Sequence, residues 1–299
     1  MKNRESVSGA LAIFSVGILY GMYGIFTRFT GQSFTAFSQG VVKNSIAGVL
    51  ALVLILVLKQ KWVWPNPKEL PWMLTWLITG LIAMILMFVG FNNLPIGLAY
   101  FLLYSTMISS GLLVGKLLFG EKLTPLKILS FVFSLLGLVV IYVDSLSFEL
   151  PAIFILLAGI CLGIWNTVSK KFSSRYSDLE LVAIDGVVIS LASFFILIFL
   201  GQSIPAFNTA NQVSWLWIVI HAISQVISIS LMIYGFKRIE AQVGSLILPI
   251  EVVAATVFGY FFFREVPTLF TFIGGGLIGT AAILPGIEMI MQSKNRQIS

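Results

Sequence analysis

Apolar residues in this chain come in long unbroken runs, unlike the alternation of a half-buried strand or the narrow stripe of a surface helix. Ten such segments can be drawn, at 8–28, 35–58, 72–91, 95–118, 124–143, 150–170, 179–201, 213–236, 241–263 and 266–290. Each is close to the ~20 residues that an α-helix needs to cross ~30 Å of hydrocarbon. The pattern predicts an all-α polytopic membrane protein with no soluble domain. Connections are short, and the longest, Lys59 to Pro71 with Trp62, Trp64, Pro65 and Pro67, reads as an interfacial turn. Lys2 and Arg4 precede an apolar stretch without a small-residue cleavage site, so this stretch reads as a retained first helix and not a signal peptide.

Composition agrees with this reading. Hydrophobic residues make up 58% of the 299, charged residues 10%, and the mean hydropathy is +1.01. Such a chain cannot hide its apolar surface in a water-soluble core. The net charge of +6 sits in short clusters between apolar runs, as anchoring to a lipid bilayer requires, and gives no reason to expect a nucleic-acid partner. Fifteen of the 18 Lys and Arg residues fall on the side of the N-terminus. The positive-inside rule therefore predicts both termini in the cytoplasm. Cys161 is the single cysteine and lies within an apolar run, so no intrachain disulfide is expected.

The chain also repeats itself. Gly17-Ile18-Leu19-Tyr20-Gly21-Met22-Tyr23 is echoed by Gly159-Ile160-Cys161-Leu162-Gly163-Ile164-Trp165, and Thr27-Arg28 by Ser169-Lys170, at a spacing of 142. Phe119-Gly120-Glu121 is echoed by Phe263-Arg264-Glu265 at a spacing of 144. Two five-helix halves follow, 1–145 and 146–299. Five is odd, so the halves enter the membrane in opposite senses. The expected fold is ten transmembrane helices as two inverted five-helix repeats, an architecture that places solute sites near mid-depth between the halves.

The run Ala241 to Phe263 carries the sharpest chemistry. Pro249 interrupts its backbone hydrogen bonding, and Glu251 places a carboxylate where burial in hydrocarbon costs ~2.5–3.5 kcal/mol. Glu251 should therefore face a polar cavity, pair with a cation or take up a proton. Lys43, Asp185 and His221 are the other ionisable groups inside spans. Lys43 and Asp185 are 142 apart and so occupy equivalent helices, Lys43 towards the outside and Asp185 towards the cytoplasm; snorkelling is the alternative reading of Lys43. His221 suits a proton relay or a helix contact. Tyr100 and Tyr104 share a helix face, and with Trp165 and Asn166 they are candidate pocket walls, joined by Tyr20, Tyr23, Tyr234 and Gln225. Gly17 with Gly21, Gly159 with Gly163, Gly111 with Gly115 and Gly275 with Gly279 have the spacing that lets helices approach closely. Glu121 and Glu265, at helix ends on opposite faces, read as caps or gate ion pairs.

The repeated motifs in the first helix of each half, Leu19-Tyr20-Gly21-Met22-Tyr23 and Leu162-Gly163-Ile164-Trp165-Asn166, are similar to those of the drug/metabolite transporter superfamily. So are the helices ending in Glu121 and Glu265, the second led by Leu248-Pro249-Ile250. The resemblance covers nearly the whole chain and points to its bacterial ten-helix metabolite exporters. Ser105 stands where Pro249 stands in the other half, a departure that leaves the fourth helix without a proline kink. The resemblance implies export of small metabolites such as amino acids; other members carry sugars, nucleotide sugars or cationic drugs.

The resulting expectation is a secondary transporter that moves an amino acid or related amine by alternating access. Lys43, Tyr100, Tyr104, Trp165, Asn166 and Glu251 would bind the substrate, and Glu251, Asp185 and His221 would couple protons or gate. No Walker A loop, catalytic triad or metal-ligand cluster is legible, so neither an enzyme, a cofactor nor a metal is expected. The partners are a small-molecule substrate and the lipid bilayer, with homodimerisation left open. An uncoupled facilitator or channel for solutes such as sugars, and a membrane scaffold without transport, are the rival classes.

Overall fold

The computed structural model describes residues 2–94, 96–142, 150–208 and 211–298. The division at 145/146 between the halves lies outside these described residues. Among the described residues, twelve α-helices, α1 (Lys2–Gly21), α2 (Tyr23–Thr30), α3 (Ala36–Val57), α4 (Leu70–Asn93), α5 (Ile96–Phe119), α6 (Pro125–Tyr142), α7 (Leu150–Val168), α8 (Asp178–Phe199), α9 (Gln212–Phe236), α10 (Ala241–Ile247), α11 (Ile250–Phe263) and α12 (Leu269–Ile298), make up nine segments long and apolar enough to cross a membrane and a tenth, shorter apolar helix, α6. The excess arises because two spans each comprise two helices. Pro249 ends α10 as the sequence predicts: the amides of Glu251 and Val252 fold back onto the carbonyls of Leu248 and Pro249 before α11 begins. The first span only tightens for one residue at Met22, whose amide bonds to Leu19 three residues back while its backbone stays helical (φ −78°, ψ −14°), and it runs on as one span from Glu5 to Thr30. The apolar run 8–28 contains no proline, and its pattern predicts one continuous helix. Where Ser105 replaces the proline, α5 runs unbroken, with the Ser105 hydroxyl donating to the Phe101 carbonyl at 2.6 Å.

Helices pair across the repeats. α3 packs on α8, α6 on α12, α5 on α7 and α1 on α11; α4 on α7 is matched by α1 on α9. Each pairing is its own counterpart or has one when the halves are exchanged. Small residues make the approaches close. A methyl carbon placed on Gly163 would lie 2.5 Å from the Met107 carbonyl oxygen, and one on Gly21 2.7 Å from the Ala254 Cβ. Residues 21 and 163, and the opposing 254 and 110, are repeat mates. Gly111 and Gly115 likewise back onto Ser245 and Gln242 of α10. The expectation for the last glycine pair does not hold. Gly279 meets nothing and Gly275 only Val253, whereas Gly274 takes the close approach, against Gly137 of α6. Small-residue spacing shows where a neighbour is permitted, not where one sits.

The Lys59–Pro71 turn is fastened to the junction between α7 and α8. The Val63 amide donates to the Glu180 carboxylate, the Asn66 amide to the Tyr176 hydroxyl at 3.0 Å, and that hydroxyl to Glu69 at 2.7 Å. Glu180 is available there because Ser177 and Glu180 form a reciprocal capping box at the start of α8.

Packing of this kind predicts that Gly163→Ala, which must displace the Met107 backbone, costs about 1–3 kcal/mol. Gly276→Ala faces open space and should leave stability unchanged. Thermal unfolding of both variants in the same detergent checks the contrast.

Candidate substrate site

The ionisable side chains predicted inside spans converge between the two halves. Lys43 on α3 has its ammonium 5.9 Å from the centre of the Tyr23 ring on α2, and acts electrostatically on Asp185 of α8 and His221 of α9. Asp185 and Glu251 both lie within electrostatic range of Tyr20 and Tyr23. The Tyr104 hydroxyl of α5 lies within hydrogen-bonding reach of Glu251. Lys43 therefore faces the interior, and the snorkelling alternative is set aside.

Lys43 and Asp185 do not close a direct ion pair. The reason is register. α3 and α8 run antiparallel, with Ser45 against Ser190 at 2.6 Å and Gly48 against the backbone of Gly186. This register sets the two backbones roughly six residues apart along the seam, about 9 Å at 1.5 Å per residue. Asp185 is buried, its Oδ1 has no hydrogen-bond partner, and the Trp165 indole N–H faces it without reaching full hydrogen-bonding geometry. Trp165 is held by stacking on Trp76 of α4, centroids 5.9 Å apart and 7° from parallel.

α9 supplies a polar edge. His221, Ser224, Gln225 and Ser228 are spaced to share one face and all are buried. Gln225 donates to the Asn44 side chain at 2.6 Å, while its Oε1, the Ser224 hydroxyl and both His221 ring nitrogens have no partner in the protein. The His221 ring packs edge-on to Tyr23 at 4.6 Å and against Phe26 at 5.1 Å. Ser224, Asn44 and Trp76 are absent from the sequence-based candidates. The polar positions at 221, 224, 225 and 228 were the available signal, obscured because serines recur throughout the spans.

The remaining candidates are less central. Tyr100 stacks on Tyr104 with centroids 6.2 Å apart, extending the α5 wall. The Asn166 amide instead approaches the Met107 sulfur at 3.6 Å, in the α5–α7 seam. Among the described residues no three His, Cys, Asp or Glu side chains gather as a metal site would require. Two cavities, of about 590 and 600 Å³, lie elsewhere, one lined by Phe207, Trp215 and Val219 and one between α6, α11 and α12, and neither is lined by these charges.

Ion pairs stand at both ends of the bundle. At the lysine-rich end Lys170 meets Glu121 at 2.9 Å, and at the opposite end Arg28 meets Glu265 at 2.6 Å. The arrangement is a polar interface between two repeated halves, with a charged contact at each end. The sequence profile of the EamA-like transporter family matches residues 7–143 and again 150–285.

The chain belongs to the EamA-like transporter family.

Each match covers one of the two repeats seen in the packing. An "uncharacterized transporter" of Archaeoglobus fulgidus is 26% identical over 165 residues, covering 54% of this chain and 57% of that protein. The match thus spans little more than half of that relative's length. A crystal structure superposes with a TM-score of 0.79 at 20% identity, over 93% of this chain and 97% of its own, which establishes a shared fold.

At an effective dielectric of about 20 and about 9 Å, opposite unit charges attract by about 2 kcal/mol. A double-mutant cycle of Lys43→Met and Asp185→Asn should accordingly show a coupling of about 1–2 kcal/mol in the stability of this EamA-like transporter, each single variant costing more than its share of the double. Additive effects would place the two charges out of each other's reach.

Proposed function

We propose that this protein is a secondary active transporter, and not an enzyme, that exports an amino acid or a related amine by alternating access. The observation that carries the reading is the convergence of Lys43, Asp185, His221 and Glu251 on the interface between the halves. One cation and two carboxylates in a shared polar interior suit a small solute bearing an amine and a carboxylate better than a sugar. The partner-free atoms of Asp185, Ser224 and Gln225 offer it hydrogen bonds, and Tyr20, Tyr23, Tyr100, Tyr104 and Trp165 offer aromatic walls. Glu251, backed by Tyr104 at the break between α10 and α11, is the proposed proton carrier. With the lysine-rich end in the cytoplasm of a bacterial inner membrane, each half would contribute its own end closure, and the halves would divide near 145/146.

Proteoliposomes loaded with amino acids, amines and sugars and assayed by counterflow, with and without an imposed pH gradient, test this reading. Gradient-dependent accumulation of one labelled amino acid or amine is the expected result, and Glu251→Gln should abolish the gradient dependence in a protein that remains folded. Exchange indifferent to the gradient would replace the carrier with a facilitator.

A further inference from the structure

The ion pairs at the two ends are repeat mates, yet they are built to very different strengths. Lys170 and Arg28 are 142 apart, and Glu121 and Glu265 are 144 apart. At the lysine-rich end the side chains of Lys170 and Glu121 are 22% and 5% exposed; at the other end those of Arg28 and Glu265 are 52% and 54% exposed. Ser169, beside Lys170, is fully buried, whereas its mate Thr27 is exposed.

The difference lies in what surrounds each carboxylate. Glu121 accepts the amides of Ala241 and Gln242 at 2.7 and 2.9 Å, besides the Lys170 ammonium, which also donates to the Ile239 carbonyl at 2.8 Å. Buried Lys127 reinforces this, donating to Gln242 Oε1 at 2.8 Å and to Glu240. The repeat mates of Lys127 and Gln242 are Thr271 and Leu98, so the polar reinforcement cannot recur at the far end. There, the Arg28 guanidinium stacks on Phe263 at 4.4 Å and meets Glu265 in the open.

We infer that Glu121 and Glu265 are the paired gating residues of the transport cycle, broken alternately, and that the Glu121 latch holds the resting protein closed at its lysine-rich end. The latch grips the first residues of α10, and α10 leads through the Pro249 break to Glu251. Opening that end to load solute must release α10 from Glu121, so an event at Glu251 and the opening of the latch act on one segment. A ligand shifts this equilibrium only by preferring the opened state. This inference rests on the alternating-access reading above but is tested without measuring flux.

The test uses nanodiscs, which expose both faces, in a Cys161→Ala background carrying one reporter, Ser169→Cys or Thr27→Cys, and a membrane-impermeant maleimide. Without further change Ser169→Cys should label slowly and Thr27→Cys fast. Adding Glu121→Gln should speed labelling at Ser169→Cys by about tenfold or more and slow it at Thr27→Cys, since population leaving one state enters the other. Lys170→Met, which keeps the Glu121 acceptor for α10, should shift both reporters in the same directions by less, and guards against a Glu121 variant that does not fold. Glu265→Gln should leave Ser169→Cys protected. Faster labelling at Ser169→Cys with no reciprocal change at Thr27→Cys would mean local fraying around a static cap and would overturn the assignment. Failed counterflow with intact reciprocity would instead count against the proposed solute alone.

Discussion

A charge inside hydrocarbon must be answered from within the protein, because no water reaches it there, and this constraint organises the molecule. Lys43, Asp185, His221 and Glu251 ride on spans that are otherwise apolar. Had each faced lipid, insertion would have been opposed at four places. The packing instead turns all four inward, where Lys43 answers Asp185, Tyr104 answers Glu251, and Tyr20 and Tyr23 lie near both carboxylates. A polar interior in a membrane bundle is expensive to maintain, and here it is concentrated at the interface between the halves.

The spans were legible in the sequence because bilayer thickness sets helix length directly, and the two halves because their motifs recur at nearly constant spacing. The Pro249 break was legible from covalent chemistry. The one-residue tightening at Met22 was not: it occurs in an apolar stretch without proline, inside a span that continues to Thr30. The equivalence of Lys43 and Asp185 could be read from their spacing, but the offset between them follows from the register of α3 on α8, which single-chain periodicity does not encode. Gly275 and Gly279 show the same limit, since a small residue marks an opportunity for contact whose partner belongs to another part of the chain.

Backbone repetition and side-chain repetition have parted company here. Helix pairings survive exchange of the halves, down to mates such as Gly21 on Ala254 and Gly163 on Ser110. The chemistry does not survive it. Lys43 faces an aspartate where strict symmetry would repeat the lysine, Ser105 stands for Pro249, and Thr271 for Lys127. Symmetric packing supplies two equivalent ways of arranging the halves; unlike side chains give those arrangements unequal energies.

The placement of the Pro249 interruption has a mechanical consequence. It lies along one seam, where Gly17 of α1 rests on Leu248, Ile250 and Glu251 between α10 and α11. The symmetry-related seam is made by α5 and α7, and neither is interrupted between Ile96 and Phe119 or between Leu150 and Val168. One seam thus contains a proline-interrupted rod, and the other two continuous ones. Bending imposed on the bundle collects at that interruption, so a molecule with twofold pseudo-symmetric architecture has the compliance of a door hung on one side.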